Sequence, residues 1–317
     1  MSHQVLKVTN ERLHKMKKHY ISSLKSPTPQ NAAFAAKVPG CTITAYTSGK
    51  VLFQGADASR EAGIWEGSPT EAKKKTATSA KKSVDTHDYS PPAQLQSLAM
   101  LGSDEAGTGD YFGPITVACT YLTPEQMKNV EHMGIRDSKT IKDPVILELA
   151  PEIMKKSTYS LLTLTNEKYN NLQVKGYNQG RMKAMMHHQA IMNVLNKCRE
   201  QKLNPEGVFV DQFCQPGVYF NYLKQSGHYW QEETPIYFAT KAESLHVSVA
   251  AASVIARYAF VREMDKLETS LGSPVPKGAS GKVDSAAAEI IRLHGRETLK
   301  QCAKLHFANT GKAERLV

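Results

Sequence analysis

Residues 67–97 place the strongest limit on how this chain can fold. They contain Lys73-Lys-Lys75, Lys81-Lys82 and Pro91-Pro92, set among many Ser, Thr and Ala. Such a stretch buries too little apolar area to offset the entropy lost on ordering it. A single core cannot be continuous across that break. The expected organisation is therefore a small module at 1–66, a flexible linker at 67–97 and a larger domain at 98–317. A length of 317 residues is enough for two such cores.

Charge follows the same division. Through residue 97, fourteen Lys and Arg stand against seven Asp and Glu, a net of +7, whereas the remainder nets only +3. A basic module beside a nearly balanced one suggests a polyanionic partner such as nucleic acid. Hydrophobic content of 41% and charged content of 22% argue against a disordered or membrane-embedded chain. Cys41, Cys119, Cys198, Cys214 and Cys302 are scattered without a C-x-x-C pair, which speaks against structural zinc and a disulfide framework. The N-terminus lacks the apolar stretch of a signal peptide, and no segment has the length of a membrane span. A cytoplasmic monomer with reduced thiols is the expectation.

In the first module, Leu13, Met16, Tyr20 and Leu24 fall at helical spacing and predict a helix over 8–24. Cys41–Tyr46 and Lys50–Gln54 are β-prone runs joined by Thr-Ser-Gly, a hairpin pattern. Thr42, Thr44 and Tyr46 would share one strand face, close to Lys37 and Lys50. That face either meets a nucleic-acid backbone or is the wet side of an antiparallel sheet. From residue 98 the pattern alternates. Strands are expected at 113–122, 157–165 and 208–211, and helices at 177–202, 245–267 and 285–304. This order predicts an α/β domain with a sheet covered by helices.

Four acids each end an apolar run or open a helix. Asp104 and Glu105 follow Leu98-Ala-Met-Leu101, Asp211 follows Gly207-Val-Phe-Val210, and Glu243 precedes the Ala-rich helix. In α/β sheets, sites gather at strand ends. Asp104 and Glu105 are followed by Gly107 and Gly109, and a glycine lets a backbone approach a ligand that a Cβ would block. Adjacent residues on a regular strand point to opposite faces, so both acids serve one site only if the strand bends or stops there. Four gathered carboxylates would need a counter-charge, which magnesium can supply.

The segments Gly102–Pro114, Asp137-Ser-Lys139, Val210-Asp-Gln-Phe213, Lys241-Ala-Glu-Ser244 and Ser248–Arg257 together resemble, in order, the motifs of bacterial ribonuclease HIII. Phe34–Lys37 and Ala45–Gly55 are similar to that family's N-terminal module, itself like half of a TATA-box-binding protein. The resemblance implies a ribonuclease H-like catalytic domain, with a central mixed sheet flanked by helices, preceded by a small α+β module. It implies an endonuclease that cuts the RNA strand of RNA–DNA hybrids with magnesium, or alternatively manganese, leaving 5′-phosphate and 3′-hydroxyl ends. Asp104, Glu105, Asp211 and Glu243 match the family's metal-binding carboxylates. Gly107, Thr108 and Gly109, with Lys139, Lys37, Tyr46 and Lys50, are the expected substrate contacts. Thr108 stands where the sister ribonuclease HII carries an arginine, so runs of RNA are expected substrates and lone ribonucleotides poor ones. An enzyme specialised for embedded ribonucleotides and a non-catalytic hybrid binder are the competing readings. His187 and His188 are expected as structural residues, and Ser253 either contacts nucleic acid or, in so small-residued a helix, packs closely. Tyr111 either stacks on a sugar or closes the core, and Lys277–Ser280 is either a substrate-side loop or a helix cap.

Overall fold

The structure is a computed structural model that describes residues 3–26, 28–29, 32–65, 87–135 and 141–317. It divides into two compact units, Met1–Lys81 and Lys82–Val317. Asp137-Ser-Lys139 and most of the expected linker lie outside the described residues. Residues 87–97, expected as the linker's end, instead pack on the second unit. Tyr89 stacks near Phe220 and Phe238, and Leu95 is buried. Those two aromatic and aliphatic side chains supply the apolar area that the lysine-rich part lacks.

In the first unit, β1 (His3–Lys7), β2 (Ala32–Val38), β3 (Cys41–Tyr46) and β4 (Lys50–Gln54) form an antiparallel sheet in the order β1-β4-β3-β2. Helix α1 (Asn10–His19) is capped by Thr9 and is shorter than its periodicity predicts, and α2 is Ala58–Gly63. Leu13 and Met16 from α1, with Tyr20 at its C-terminal cap, pack with Phe34, Ile43, Val51 and Phe53 from one sheet face. Each such apolar side chain contributes about 1.5–3 kcal/mol when fully buried. The expected hairpin is present, with Thr42 paired to Gln54 and Thr44 to Leu52. Pairing of Lys37 with Thr42, and the alternation along β3 and β4, place Lys37, Thr42, Tyr46 and Lys50 on the opposite face. Lys37 and Lys50 are exposed there.

The second unit is built on a mixed sheet: β5 (Met100–Ala106), β6 (Ile115–Tyr121), β7 (Thr158–Leu164), β8 (Gly207–Asp211) and β9 (Ile236–Ala239), in the order β7-β6-β5-β8-β9. The β5–β6 and β6–β7 pairs are antiparallel, whereas β5–β8 and β8–β9 are parallel. Helices α3 (Pro124–Glu131), α4 (Asp143–Lys155) and α8 (Val247–Leu271) share one apolar core against the sheet. A separate core on the sheet includes α6 (Gln179–Glu200) and α7 (Pro216–Gln225). With helices on both faces, β6 reads as a fully buried strand. Further chain forms α5 (Asn166–Val174), α9 (Gly281–His294), α10 (Leu299–Cys302) and α11 (Ala308–Glu314).

The small-residue run of α8 permits close approach. A Cβ on Gly102 of β5 would lie 2.2 Å from the Val249 nitrogen. The helix expected over 285–304 is broken, because Gly295 takes φ +80° and ends α9.

Candidate active site

β8 runs parallel to β5 with Ser103 beside Val210, so the next residues, Asp104 and Asp211, emerge side by side at the strand ends. β5 does not bend at its two acids. Asp104, Glu105 and Ala106 pair regularly with Ala118, Val117 and Thr116. Of the two expected possibilities the strand does not bend at the acids but ends just after them, at Ala106, and the two carboxylates take opposite sides. Both still line one cavity of about 240 Å³, together with Thr108, Asp211, Ser253 and Arg257, because β5 ends at its rim. A larger groove of about 910 Å³ beside β7 lacks any such gathering of acids.

Asp104 lies on the α8 side. It is 4% exposed, and the Ser253 hydroxyl hydrogen-bonds to its carboxylate. Burial, followed by the charges of Asp211 and Glu105, pushes this carboxyl well above its ordinary range. Glu105 lies on the α6 side with the opposite outcome. Lys183 Nζ donates to Oε1 at 2.7 Å, and His187 Nε2 sits 2.8 Å from Oε2. Burial opposes ionisation, but these two partners outweigh it and hold the carboxyl down at about 2. Lys183 and His187 are one helical turn apart on α6. Both rest on Phe213, the lysine 4.2 Å from its ring centre and the histidine stacked at 5.1 Å. His187 also meets Ser103 Oγ at 2.8 Å, which fixes its ring.

Asp211 Oδ1 accepts from the Ala242 amide at 2.9 Å. Glu243 is the next residue, 4% exposed, on a single 3-10 turn that follows Lys241 in the left-handed region. It adjoins the cluster through Ala242 but does not line the cavity. Arg257 donates from Nε and Nη2 to Asp143 Oδ1 at 3.0 and 2.7 Å, and Lys277 pairs with the other oxygen of Asp143.

Among the expected substrate contacts, Thr108 reaches the cavity, and Gln179 Nε2 donates to its carbonyl at 3.0 Å. Gly107 has φ +85°, and a Cβ there would lie 2.3 Å from the Pro114 oxygen, so only glycine fits. A Cβ on Gly109 would meet no protein atom within 4 Å, which leaves that backbone open to a ligand. Lys37, Tyr46 and Lys50 lie on the first unit's sheet, and Lys139 is outside the described residues. Tyr111 is core, fully buried with its hydroxyl 3.1 Å from Thr310. His188 faces His228 and Trp230, as its helical offset from His187 requires. His187 was expected to be structural and Ser253 either to pack closely or to contact nucleic acid, yet each touches an acid. The spacing of Lys183 and His187 hints at a shared face, but nothing in the sequence says which acid that face meets.

The donor set is hard oxygen, which suits magnesium or manganese rather than zinc. Among the described residues, no three His, Cys, Asp or Glu side chains are gathered closely enough to hold a metal ion as they stand. Three of the four carboxylates, Asp104, Glu105 and Asp211, line one cavity. The fit is one of chemistry and placement.

Comparisons with known proteins agree with this architecture. The Ribonuclease HII family profile matches residues 101–310, and a domain of unknown function, DUF3378, matches residues 3–78. Ribonuclease HIII of Bacillus subtilis (strain 168) is 51% identical over 316 residues, covering 100% of this chain and 98% of that protein. The chain belongs to the ribonuclease HIII family. Ribonuclease HIII of Bacillus velezensis is 52% identical over 317 residues, again covering 100% and 98%. A crystal structure of Bst-RNase HIII in complex with Mn2+ superposes with a TM-score of 0.68 at 41% identity, covering 99% of both chains. Ribonuclease H2 from Pyrococcus horikoshii shares the fold at 19% identity, with a TM-score of 0.53 over 69% of this chain and 98% of that one. The two matched regions agree with a small N-terminal sheet domain followed by a larger domain with a mixed sheet.

Proposed function

We propose that this chain is a ribonuclease H that cuts the RNA strand of RNA–DNA hybrids within the cavity at the ends of β5 and β8. The observation that carries the site assignment is the sharing of one cavity by Asp104, Glu105 and Asp211, in a chain aligned end to end with ribonucleases HIII. Asp104, Glu105 and Asp211, with Glu243 beside them, would hold divalent ions. The manganese bound by Bst-RNase HIII supports that reading. Such ions, when bound, supply a nucleophilic water and neutralise charge at the departing 3′ oxygen.

The chain's own groups do the rest. The Ala242 amide and the 3-10 turn orient Asp211, Ser253 orients Asp104, and Lys183 with His187 keeps Glu105 ionised. The open backbone at Gly107–Gly109 is suited to contact the RNA strand, whose 2′-hydroxyls distinguish it from DNA. The basic sheet face with Lys37, Tyr46 and Lys50 is the second hold on the hybrid, and Lys139 adds a phosphate contact near the cut. The products carry 5′-phosphate and 3′-hydroxyl ends, and the enzyme acts as a cytoplasmic monomer. No described helix is long and apolar enough to cross a membrane.

Hybrid cleavage with magnesium or manganese tests this. Asp104→Asn, Asp211→Asn and Glu243→Gln should each lower kcat on the order of a thousandfold or more while the circular dichroism spectrum stays native. Near-normal turnover in a variant removes its acid from the assignment. A duplex with one embedded ribonucleotide should be cut poorly, and efficient cutting there would favour the type II reading.

A further inference from the structure

Lys304 is a buried ionisable group that the chemistry above does not use. The side chain is wholly inaccessible, a rare state for a lysine. Its Nζ donates to the carbonyl oxygens of Asp110 at 2.8 Å and Gly113 at 2.5 Å, and its own amide donates to the Tyr111 carbonyl at 2.8 Å. All three acceptors belong to the segment that leaves the β5 acids. The same segment is held from other directions. Asn166 Nδ2 donates to the Gly113 carbonyl at 2.9 Å, the Gly113 amide donates to Cys302 at 2.9 Å, and the Gly278 amide donates to Asp110 Oδ1 at 2.6 Å.

The base of this clamp is itself fixed. Asn170 on α5 donates to the carbonyls of Lys300 and Ala303 at 3.0 and 2.9 Å and accepts from the Leu305 amide at 3.1 Å. The other end of the loop lies at the cavity, where Thr108 forms part of the wall. A turn bond from the Asp110 amide to the Gly107 carbonyl, at 3.4 Å, joins the anchored half to the presented half.

An apolar side chain would fill this pocket without the desolvation cost of an ammonium. That cost is visible, since burial pushes the amine down to about 7, with Asp110 opposing. A methyl group cannot fix the direction of two carbonyls, and with them the orientation of the peptide planes in the loop.

We propose that Lys304 is a positioning residue that ties the Asp110 and Gly113 carbonyls to the C-terminal segment and so sets how the Gly107–Gly109 backbone meets the RNA strand. The inference rests on the reading that this loop faces the hybrid. Its test is steady-state cleavage of a uniform RNA–DNA hybrid by the full chain at saturating magnesium, comparing wild type with Lys304→Met. KM should rise about tenfold or more, with kcat within about twofold, because a misplaced contact costs binding before chemistry. A merely structural lysine would lower the melting temperature and leave KM alone. That result, or a fall in kcat at constant KM, overturns the proposal. Should Lys304→Met fail to fold, Asp110→Ala decides. It removes the carboxylate on the Gly278 amide from a partly exposed position and should raise KM in the same direction, and an unchanged KM there overturns the proposal. Failure of the wild type to cleave hybrid at all would instead overturn the function assigned to the site.

Discussion

Asp104 and Glu105 are neighbours in the chain with opposite electrostatic fates, because strand alternation sends one toward α8 and the other toward Lys183 and His187 on α6. Lys304 is a third group whose surroundings reset its charge, and it gives a measurable consequence. Its folded pKa lies near 7, below its ordinary 10.5, so between those values the unfolded chain binds more protons than the folded one. Stability therefore rises with pH through that window, by at most about 1.4 kcal/mol per unit. Asp110 opposes the shift, and burial, followed by the Lys304 charge, depresses His306. Denaturant unfolding of wild type and Lys304→Met at pH 7 and 8 should show stability rising with pH more in the wild type than in the variant, since the buried cysteines, whose thiols ionise in the unfolded chain near pH 9, act on both proteins alike. The acids could be singled out in the sequence because each ends an apolar run or, for Glu243, precedes a helix. Their orienting partners could not, because Ser253 and His187 sit in helices whose facing strand emerges only from the fold.

At the scale of elements, the contact between β5 and α8 decides the site's shape. Gly102 lets the Ser248–Val249 backbone approach so closely that Ser253 and Arg257 reach the cavity from the next turns of α8. Gly102→Ala should cost about 1–3 kcal/mol or more by overpacking, and should lower turnover beyond that loss by moving Ser253 off Asp104. Urea titration and single-turnover rates on the folded fraction would separate the two effects. Unchanged turnover in the folded fraction would show that α8 can shift without cost to the chemistry. The small-residue run of α8 was correctly read as a close-packing surface, and the order of strands and helices was legible from apolar periodicity. The ends were harder to place. Gly295 broke a helix that periodicity had continued, because a positive φ is set by local backbone geometry rather than by an apolar pattern. The strand was expected to bend or stop at the acids; ladder pairing with β6 keeps it regular through Ala106, where it stops.

At the scale of the whole molecule, the first unit's lysine-bearing sheet face and the second unit's acid cavity are separate devices. Linking two holds on one duplex raises effective affinity without altering the chemistry. Deleting residues 1–66 should raise KM for hybrid far more than it lowers saturated turnover, and should flatten the dependence of binding on salt. Steady-state assays across a salt series check both, and a collapse of saturated turnover would make the module part of the catalytic apparatus. The composition shift made two units legible, but not where the second begins, since Tyr89 and Leu95 are isolated apolar residues in a polar stretch. β5 is the middle strand of its sheet, hydrogen-bonded directly to β8. The spacing of Asp104 and Asp211 is thus inherited from the ladder, not negotiated by side chains. Fraying at edges or loops leaves it intact, and on heating the cutting geometry survives until the sheet itself comes apart.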